Sequence, residues 1–170
     1  PPWPVTVTGT NHTVVVPQDL YSEVNGMQLD ELDWIGFFYE KNGDVACAGA
    51  GRWDPNANSS IVVYGDDAQT PEKDGFFEGE FFQLRVYKSM SGEEFDAEGG
   101  YAPIGSIITH EDRFNINGLS QLDSIYSAAS TPPWPVTVTG TNHTMIIPQN
   151  LISDLDGQVL SPDDWIGFFF

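Results

Sequence analysis

The chain opens with the stretch PPWPVTVTGTNHT at residues 1–13, and the same thirteen letters return at residues 132–144, 131 positions later. The match continues more loosely as far as WIGFF, which stands at residues 34–38 and again at 165–169. Altogether 25 of the 39 aligned positions are identical. So long a period is typical of an array of domains and not of a solenoid with short repeats. The sequence therefore predicts one complete repeat unit at residues 1–131 and the N-terminal part of the next at residues 132–170.

The start of each copy has the composition of a connector between domains. Pro1, Pro2 and Pro4 each fix their own φ angle and restrain the residue before them, so the approach is stiff and extended. Small and polar residues precede the second copy, and we predict a linker over residues 127–135. Trp3 lies within the connector, where we expect it to pin one domain against the preceding one.

The rest of the unit consists of short β-prone runs separated by turn signals. An Asn-Gly pair at residues 42–43 predicts a hairpin between strands at 34–39 and 45–53, and another Asn-Gly pair marks a turn at residues 25–26. Leu119 to Tyr126 is expected to form a short helix at most, because no apolar period of 3.6 residues runs for three turns. Further strands are predicted over residues 5–8, 13–16, 61–64, 81–87, 101–109 and 114–119. The predicted fold class is all-β, an antiparallel β-sandwich of the Ig-like or jelly-roll-like kind.

The charge of the chain excludes some classes of partner. Six Lys and Arg residues stand against 25 Asp and Glu residues, which gives a net charge of −19. Nucleic acids and anionic membrane surfaces both require basic protein surfaces, so we predict no nucleic-acid partner. No apolar run is long enough to span a bilayer, and no membrane insertion is expected. The charge favours a soluble, self-repelling surface or one that collects cations.

An acidic loop at residues 65–80 is the candidate metal site. It contains six carboxylates and one lysine, together with Gly and Pro residues that favour turns. Calcium requires six to eight oxygen ligands, and Asp66, Asp67 and Asp74 are the residues from which we predict a calcium site. The alternative is that these side chains cap turns by accepting hydrogen bonds from backbone N–H groups. Apart from calcium, no cofactor is predicted.

Neither histidine nor cysteine chemistry suggests an enzyme. Zinc would need three or four ligands, whereas the unit offers only His12, His110 and Cys47. We interpret His12 as a histidine whose ring hydrogen-bonds to backbone, and Cys47 as a buried, inert thiol. Paired acids such as Glu78 and Glu80 are expected by chance in so acidic a chain. We therefore predict that the protein is not an enzyme.

Aromatic residues raise a second possibility, since aromatic side chains on a β-sheet face can stack against sugars. Most of them lie in apolar strands, where core packing is the better explanation. The residues concerned are Trp3, Trp34, Trp53, Phe37, Phe38, Tyr39, Tyr64, Phe76 and Phe77. A carbohydrate-binding module of a secreted multidomain protein, acting on surface polysaccharide, is thus the alternative function.

The order of several short motifs resembles a repeat of very large secreted proteins of Bacteroidota. The motifs are GTNHT at 9–13, WIGFFY at 34–39, Cys47, Trp53, YGDD at 64–67, TPxKDGF at 70–76 and Gly79-Glu80. Such proteins typically end in a type 9 secretion sorting domain, and some resemble the adhesins of gliding motility. The resemblance covers most of residues 1–126 and implies export to the cell surface or the extracellular space. It implies a non-catalytic structural repeat of a large filament or surface adhesin, whose partners are neighbouring repeats, and it transfers no catalytic residues.

Overall fold

The computed structural model describes residues 1–127 together with two short strands at 154–155 and 158–159. The chain divides into two units, Pro1–Ala129 and Ser130–Phe170. Apart from Ser127, the predicted linker lies outside the described residues, as does most of the predicted second repeat. In the first unit, the described residues form eight strands and no helix. In the second unit, β9 (Asp154–Leu155) pairs in antiparallel fashion with β10 (Gln158–Val159).

The strands of the first unit range from three to nine residues in length. They are β1 (Asn11–Val16), β2 (Tyr21–Glu23), β3 (Trp34–Lys41), β4 (Asp44–Arg52), β5 (Ser59–Tyr64), β6 (Gln83–Lys88), β7 (Glu93–Tyr101) and β8 (Leu119–Ser127). They form a single sheet in the order β4-β3-β6-β7-β8-β1-β5, and β2 also pairs with β8. Most neighbouring strands are antiparallel, but β1 and β2 both run parallel to β8.

The two edges of this sheet lie against each other. A Cβ atom on Gly49 of β4 would overlap the carbonyl oxygen of Val62 in β5, and one on Gly51 would lie 2.7 Å from the Ile61 side chain. Glycine at these two positions therefore lets strand β4 approach strand β5 closely. The result is a mostly antiparallel sheet that is nearly barrel-shaped, and the all-β prediction is confirmed.

The hairpin between β3 and β4 has the geometry that its sequence predicts. Asn42 and Gly43 both have positive φ angles, of 55° and 83°, as the two central residues of a type I′ turn require. Asn25 and Gly26 repeat this geometry with φ angles of 52° and 71°, and they connect Val24 to Met27 through an isolated bridge. Both Asn-Gly turns are therefore confirmed.

The core occupies the interior of the nearly closed sheet. Inward-facing residues of β1, β3, β5, β6 and β8 pack there with aromatic rings from the loops. Phe76 stacks on Phe114 with a centroid distance of 5.7 Å, and Phe82 meets Phe76 edge-on at 5.4 Å. Loop phenylalanines thus fill the interior where the strands end. A second, smaller apolar cluster of Trp3, Phe38 and Cys47 lies outside this core.

Four of the predicted elements are wrong. Residues 5–8 form no strand, and neither do residues 102–118, where parts of two strands were predicted. Residues 119–126, expected to be a short helix at most, belong to strand β8, which lies between β7 and β1 in the sheet. The helix expectation failed because β8 contains a β-bulge. Gly100 pairs with Ser124 while Tyr101 pairs with Leu122, which leaves Asp123 as an extra residue in β8.

Candidate functional site

The structure brings the three predicted calcium ligands together in the loop between β5 and β6. The backbone N–H of Asp74 donates to Asp66 Oδ1 at 2.9 Å, and the N–H of Asp67 donates to Asp74 Oδ1 at 2.9 Å. Asp67 Oδ1 in turn accepts a hydrogen bond from the N–H of Gln69 at 3.0 Å. One oxygen of each carboxylate is therefore engaged in holding the loop's own backbone, as the turn-capping alternative requires.

Further contacts hold the same loop to the sheet. Glu80 accepts hydrogen bonds from Lys73 Nζ at 2.8 Å and from the backbone N–H of Phe77 at 2.9 Å. Its other oxygen accepts the backbone N–H of Glu40, at the end of β3, at 3.1 Å. Within the described part of the chain, no three His, Cys, Asp or Glu side chains are grouped so that they could hold a metal. Calcium binding by Asp66, Asp67 and Asp74 stays a prediction.

Replacing Asp74 by Ala tests the two predicted roles of the loop's carboxylates, turn capping and calcium binding, separately. We expect the substitution to lower the free energy of unfolding by about 1–2 kcal/mol in the presence of a chelator, because the backbone N–H of Asp67 loses the acceptor that it contacts at 2.9 Å. The Thr70 hydroxyl keeps the Asp67 carbonyl as an acceptor at 2.8 Å. Urea unfolding in excess EDTA measures the effect.

The matched control is Glu72→Ala, which removes an exposed carboxylate from the same loop and should change the stability by less than about 0.5 kcal/mol. Thermal melts with excess calcium and with EDTA then test the metal. Calcium binding requires a melting temperature several degrees higher with calcium in the parent chain, and a smaller shift in Asp74→Ala. Identical melts of the parent chain in the two conditions would contradict the calcium prediction.

His12 is fully buried between β1, β8 and the loop that precedes β8. The Ser120 hydroxyl donates a hydrogen bond to the carbonyl of Glu111 at 2.6 Å, so its oxygen accepts from His12 Nε2 at 2.9 Å and the ring proton is assigned to Nε2. His12 Nδ1 lies 3.1 Å from both the backbone nitrogen and the carbonyl oxygen of Asn115, and in this tautomer it accepts the Asn115 N–H. Burial lowers the pKa of His12 to about 4, so the ring is neutral at pH 7. The interpretation of His12 as a hydrogen-bonded histidine is confirmed.

Cys47 lies beneath the N-terminal segment in the smaller apolar cluster. Its side chain is buried, and the thiol donates to the carbonyl of Gly49 at 3.4 Å. Burial raises the pKa of the thiol to about 11, so almost no thiolate forms at neutral pH. The prediction of a buried thiol is confirmed, and the raised pKa agrees with low reactivity.

The aromatic residues that could form a sugar-binding face are dispersed. Phe37, Phe38, Tyr39 and Phe76 are buried, whereas Trp34, Trp53 and Tyr64 are half-buried. Phe77 is 55% exposed, and Phe81, which the sequence analysis missed, is 52% exposed. Each of these two rings has a cation above it, Lys73 Nζ at 4.4 Å and the Arg113 guanidinium at 4.0 Å respectively.

Trp3 is seated on its own unit. Its indole lies on the outer face of strands β3 and β6, edge-on to Phe38 at 5.1 Å and to Tyr87 at 6.2 Å. The indole N–H donates to Glu94 Oε2 at 2.6 Å, and only 9% of the side chain is exposed. Trp3 therefore anchors the N-terminal segment to the unit that this segment begins. We call the surface that receives the indole the Trp3 seat.

Two further residues shape the Trp3 seat. A Cβ atom on Gly36 would lie 2.7 Å from the Trp3 ring, so glycine provides the space for the indole. Arg85 donates to the second oxygen of Glu94 at 2.7 Å and lies 5.0 Å above the Phe38 ring. Glu94 is thus held in place by Arg85 while it accepts the indole N–H. Its separation of 91 residues from Trp3 gave the sequence analysis no signal.

A buried ion pair was also missed by the sequence analysis. Asp33, which is fully buried, pairs with Lys88 at the end of β6, and Lys88 is 8% exposed. The signal available in the sequence was the recurrence of Asp33 as Asp164, directly after three positions that differ between the two copies and directly before the repeated WIGFF. Lys88 lies outside residues 1–39, which are the part of the unit repeated at residues 132–170. The repeat could therefore not identify Lys88 as the partner of Asp33.

In comparisons with known proteins, no protein-family model, curated protein or solved structure matches the chain. No helix among the described residues is long and apolar enough to cross a membrane.

Proposed function

We propose that the unit is a non-catalytic structural repeat of a large extracellular filament or cell-surface adhesin, and that its partners are neighbouring repeats. One observation carries this proposal. Where residues 14–39 and their second copy are identical or different depends on whether the position is buried or exposed in the described unit. Of the ten exposed positions in this range, eight differ between the copies. A sequence that changes mainly where it is exposed is one that keeps the same fold in both copies.

The buried positions of the same range support this explanation. Eight of the twelve are identical, and the other four exchange one apolar or aromatic residue for another. Several identical residues have a visible structural role. Pro17 accepts the Trp53 indole N–H at 3.0 Å, Ser22 accepts the Leu29 N–H at 2.9 Å, and Gly26 has a φ angle of 71°.

The described strands of the second unit add a structural parallel. Leu155 of β9 pairs with Gln158 of β10, and the equivalent positions 131 residues earlier are Val24 and Met27. Those two residues form the bridge that closes the Asn25-Gly26 turn. The same two positions are thus paired in both copies. In this proposal, the two halves of the nearly closed sheet correspond to the layers of the predicted β-sandwich.

The chemistry of the unit supports a structural role. His12 uses both ring nitrogens in hydrogen bonds, and the thiol of Cys47 is buried with a raised pKa. The net charge of −19 would keep long arrays of such units soluble and apart. Calcium bound by Asp66, Asp67 and Asp74 would reduce this repulsion within each unit. Export to the cell surface, by the type 9 route that the sequence resemblance implies, belongs to the same proposal.

The alternative function, carbohydrate binding, is supported by one observation. Phe77 and Phe81 are both more than half exposed, and each ring carries a cation on one side. An exposed ring can stack against the apolar face of a sugar, and a nearby cation can bind an acidic glycan. Polysaccharide binding would therefore involve these two phenylalanines first.

Single-molecule stretching of a chain that contains four complete periods tests the structural proposal. We expect four unfolding events with contour-length increments of roughly 450 Å, since each 131-residue period extends by about 3.4–3.6 Å per residue. Increments of unequal length, or fewer events than periods, would contradict the proposal that each period is one independently folded unit.

A glycan array distinguishes the two proposed functions. The structural proposal expects no binding by the parent chain at millimolar concentration. Binding that is lost in Phe77→Ala or Phe81→Ala, and retained in the control Ile116→Ala, would favour the carbohydrate-binding module. Ile116 is a suitable control because its side chain is exposed to a similar degree, at 49%.

A further inference from the structure

The N-terminal segment is attached to the unit by few contacts. Residues 1–10 form no strand and pair with no strand of the sheet. Beyond the indole of Trp3, Val5 packs against the smaller apolar cluster, the Thr8 hydroxyl donates to the Gly65 carbonyl at 2.6 Å, and the Gly65 N–H donates to the Thr10 carbonyl at 3.0 Å. A segment held by two apolar side chains and a few hydrogen bonds can leave its seat without breaking the sheet.

The N-terminal segment is repeated more exactly than its packing on its own unit requires. Six of residues 1–13 are exposed, and all six are identical in the second copy. Val7 is among them, although its side chain is 72% exposed. By contrast, most exposed positions of residues 14–39 differ. Identity at buried and exposed positions alike is what interchangeable segments require, because each must adopt the same extended conformation on the same seat.

We propose that the Trp3 seat of one copy of this chain accepts the segment of residues 132–141 from a second copy, with Trp134 in the place of Trp3. This inference rests on the proposed function, since it identifies how neighbouring members of an array or filament are joined. The partner surface is complete on the described unit. It consists of Gly36, the rings of Phe38 and Tyr87, and the carboxylate of Glu94 that accepts the indole N–H.

The chemistry of the segment suits an exchange between copies. Residues 1–13 and 132–144 contain no Asp, Glu, Lys or Arg, whereas the chain as a whole carries a net charge of −19. An uncharged segment can reach a second acidic copy with less repulsion than a segment that carries Asp and Glu residues. The prolines hold it extended in advance, which reduces the entropy lost when it binds.

The test uses Cys47 as a reporter, because it is the only cysteine in the chain and belongs to the cluster that Trp3 covers. The receiver is the full chain with Trp3→Ala and Trp134→Ala, which vacates the seat and removes the internal competitor. We expect a thiol reagent to label Cys47 at least ten times faster in this variant than in the parent chain. A synthetic peptide with the sequence of residues 132–141 should restore slow labelling, whereas the same peptide with Trp→Ala should not.

The mass of the full chain tests the exchange without a peptide. Trp3→Ala chains should associate in a concentration-dependent manner, because each has a free seat and an intact Trp134. Trp134→Ala chains and the doubly substituted chains should remain monomeric. Equal masses for Trp3→Ala and Trp134→Ala chains, together with no protection of Cys47 by the peptide, would overturn the proposal.

A second measurement covers the case in which the substituted receiver does not fold. The peptide is made with 5-fluorotryptophan and incubated with the parent chain, where a new fluorine resonance from the seated indole should appear. Glu94→Gln, which keeps the side-chain size but removes the charge, should weaken this signal at least threefold. No new resonance at millimolar peptide would overturn the exchange while leaving the structural-repeat proposal intact, since that depends on the stretching experiment.

Discussion

Replacing Lys88 by Met should lower the free energy of unfolding by about 3–5 kcal/mol, because it leaves a buried carboxylate without its counter-ion. Asp33 is fully buried and Lys88 is 8% exposed, so solvent cannot stabilise the remaining charge. For a domain of this size, the loss corresponds to a fall in melting temperature of roughly 10 °C or more. Urea unfolding at pH 7 measures the change.

The size of this effect follows from what Asp33 holds together. Its carboxylate accepts the backbone N–H of Asp30 at 2.8 Å and that of Ser89 at 2.9 Å. Lys88 Nζ also donates to the carbonyl of Gln28 at 2.7 Å. The pair therefore ties the loop that follows β2 to the end of β6, and removing one partner affects both elements.

A double substitution separates the charge from the packing. Asp33→Asn with Lys88→Met removes both charges while the single amide oxygen can still accept one of the two backbone N–H groups, so we expect this chain to be more stable than Lys88→Met alone. The surface control is Arg113→Met, which breaks a half-exposed pair with Asp112 at 3.6 Å and should cost about 0–1 kcal/mol. A Lys88→Met chain within 1 kcal/mol of the parent chain would contradict the argument.

The turns and hairpins could be predicted because their signals are local. An Asn-Gly pair favours positive φ at both residues whatever lies elsewhere in the chain, and both such pairs form the expected turns. The buried thiol of Cys47 was equally accessible, since Cys47 is the only cysteine and lies between small apolar residues. The hydrogen-bonded ring of His12 was expected because too few metal ligands accompany it. The proximity of Asp66, Asp67 and Asp74 followed from their position in one loop.

Strand β8 could not be predicted because its pattern is set by a partner strand. The bulge at Asp123 shifts the alternation, so the buried residues Leu122 and Ile125 are three positions apart, as they would be on one face of a helix. Ser120 is buried as well, and its hydroxyl is hydrogen-bonded to His12 and to the Glu111 carbonyl. The Trp3 seat could not be predicted either, because Trp3 and Glu94 are far apart in the sequence and come into contact only in the folded unit.

Acidification should destabilise the unit through His12. The pKa of this residue is about 4 in the folded state and about 6.5 in a peptide, mainly because burial disfavours the charged ring. The Asn115 carbonyl partly offsets this effect, the neighbouring His110 adds to it, and the charge of Glu78 opposes it. Between these two pKa values, only the unfolded chain binds a proton at this position.

The sign of the pH dependence follows from this difference in proton binding. The contribution of neutral His12 is fully present above pH 6.5 and is lost as the pH falls towards 4, because protonation then favours the unfolded chain. A pKa difference of about 2.5 corresponds to about 3 kcal/mol. We expect urea unfolding of the parent chain to show this loss in addition to that caused by carboxylate protonation.

A substitution that cannot titrate isolates the histidine from the carboxylates. His12→Gln should be less stable than the parent chain at pH 7, since the hydrogen bonds to Asn115 and Ser120 are disturbed. Its stability should nevertheless fall by about 3 kcal/mol less than that of the parent chain between pH 7 and pH 4. Parallel profiles for His12→Gln and the parent chain would mean that the buried ring is protonated in the folded state, and that the hydrogen-bond chain from Asn115 to Glu111 does not fix it as neutral.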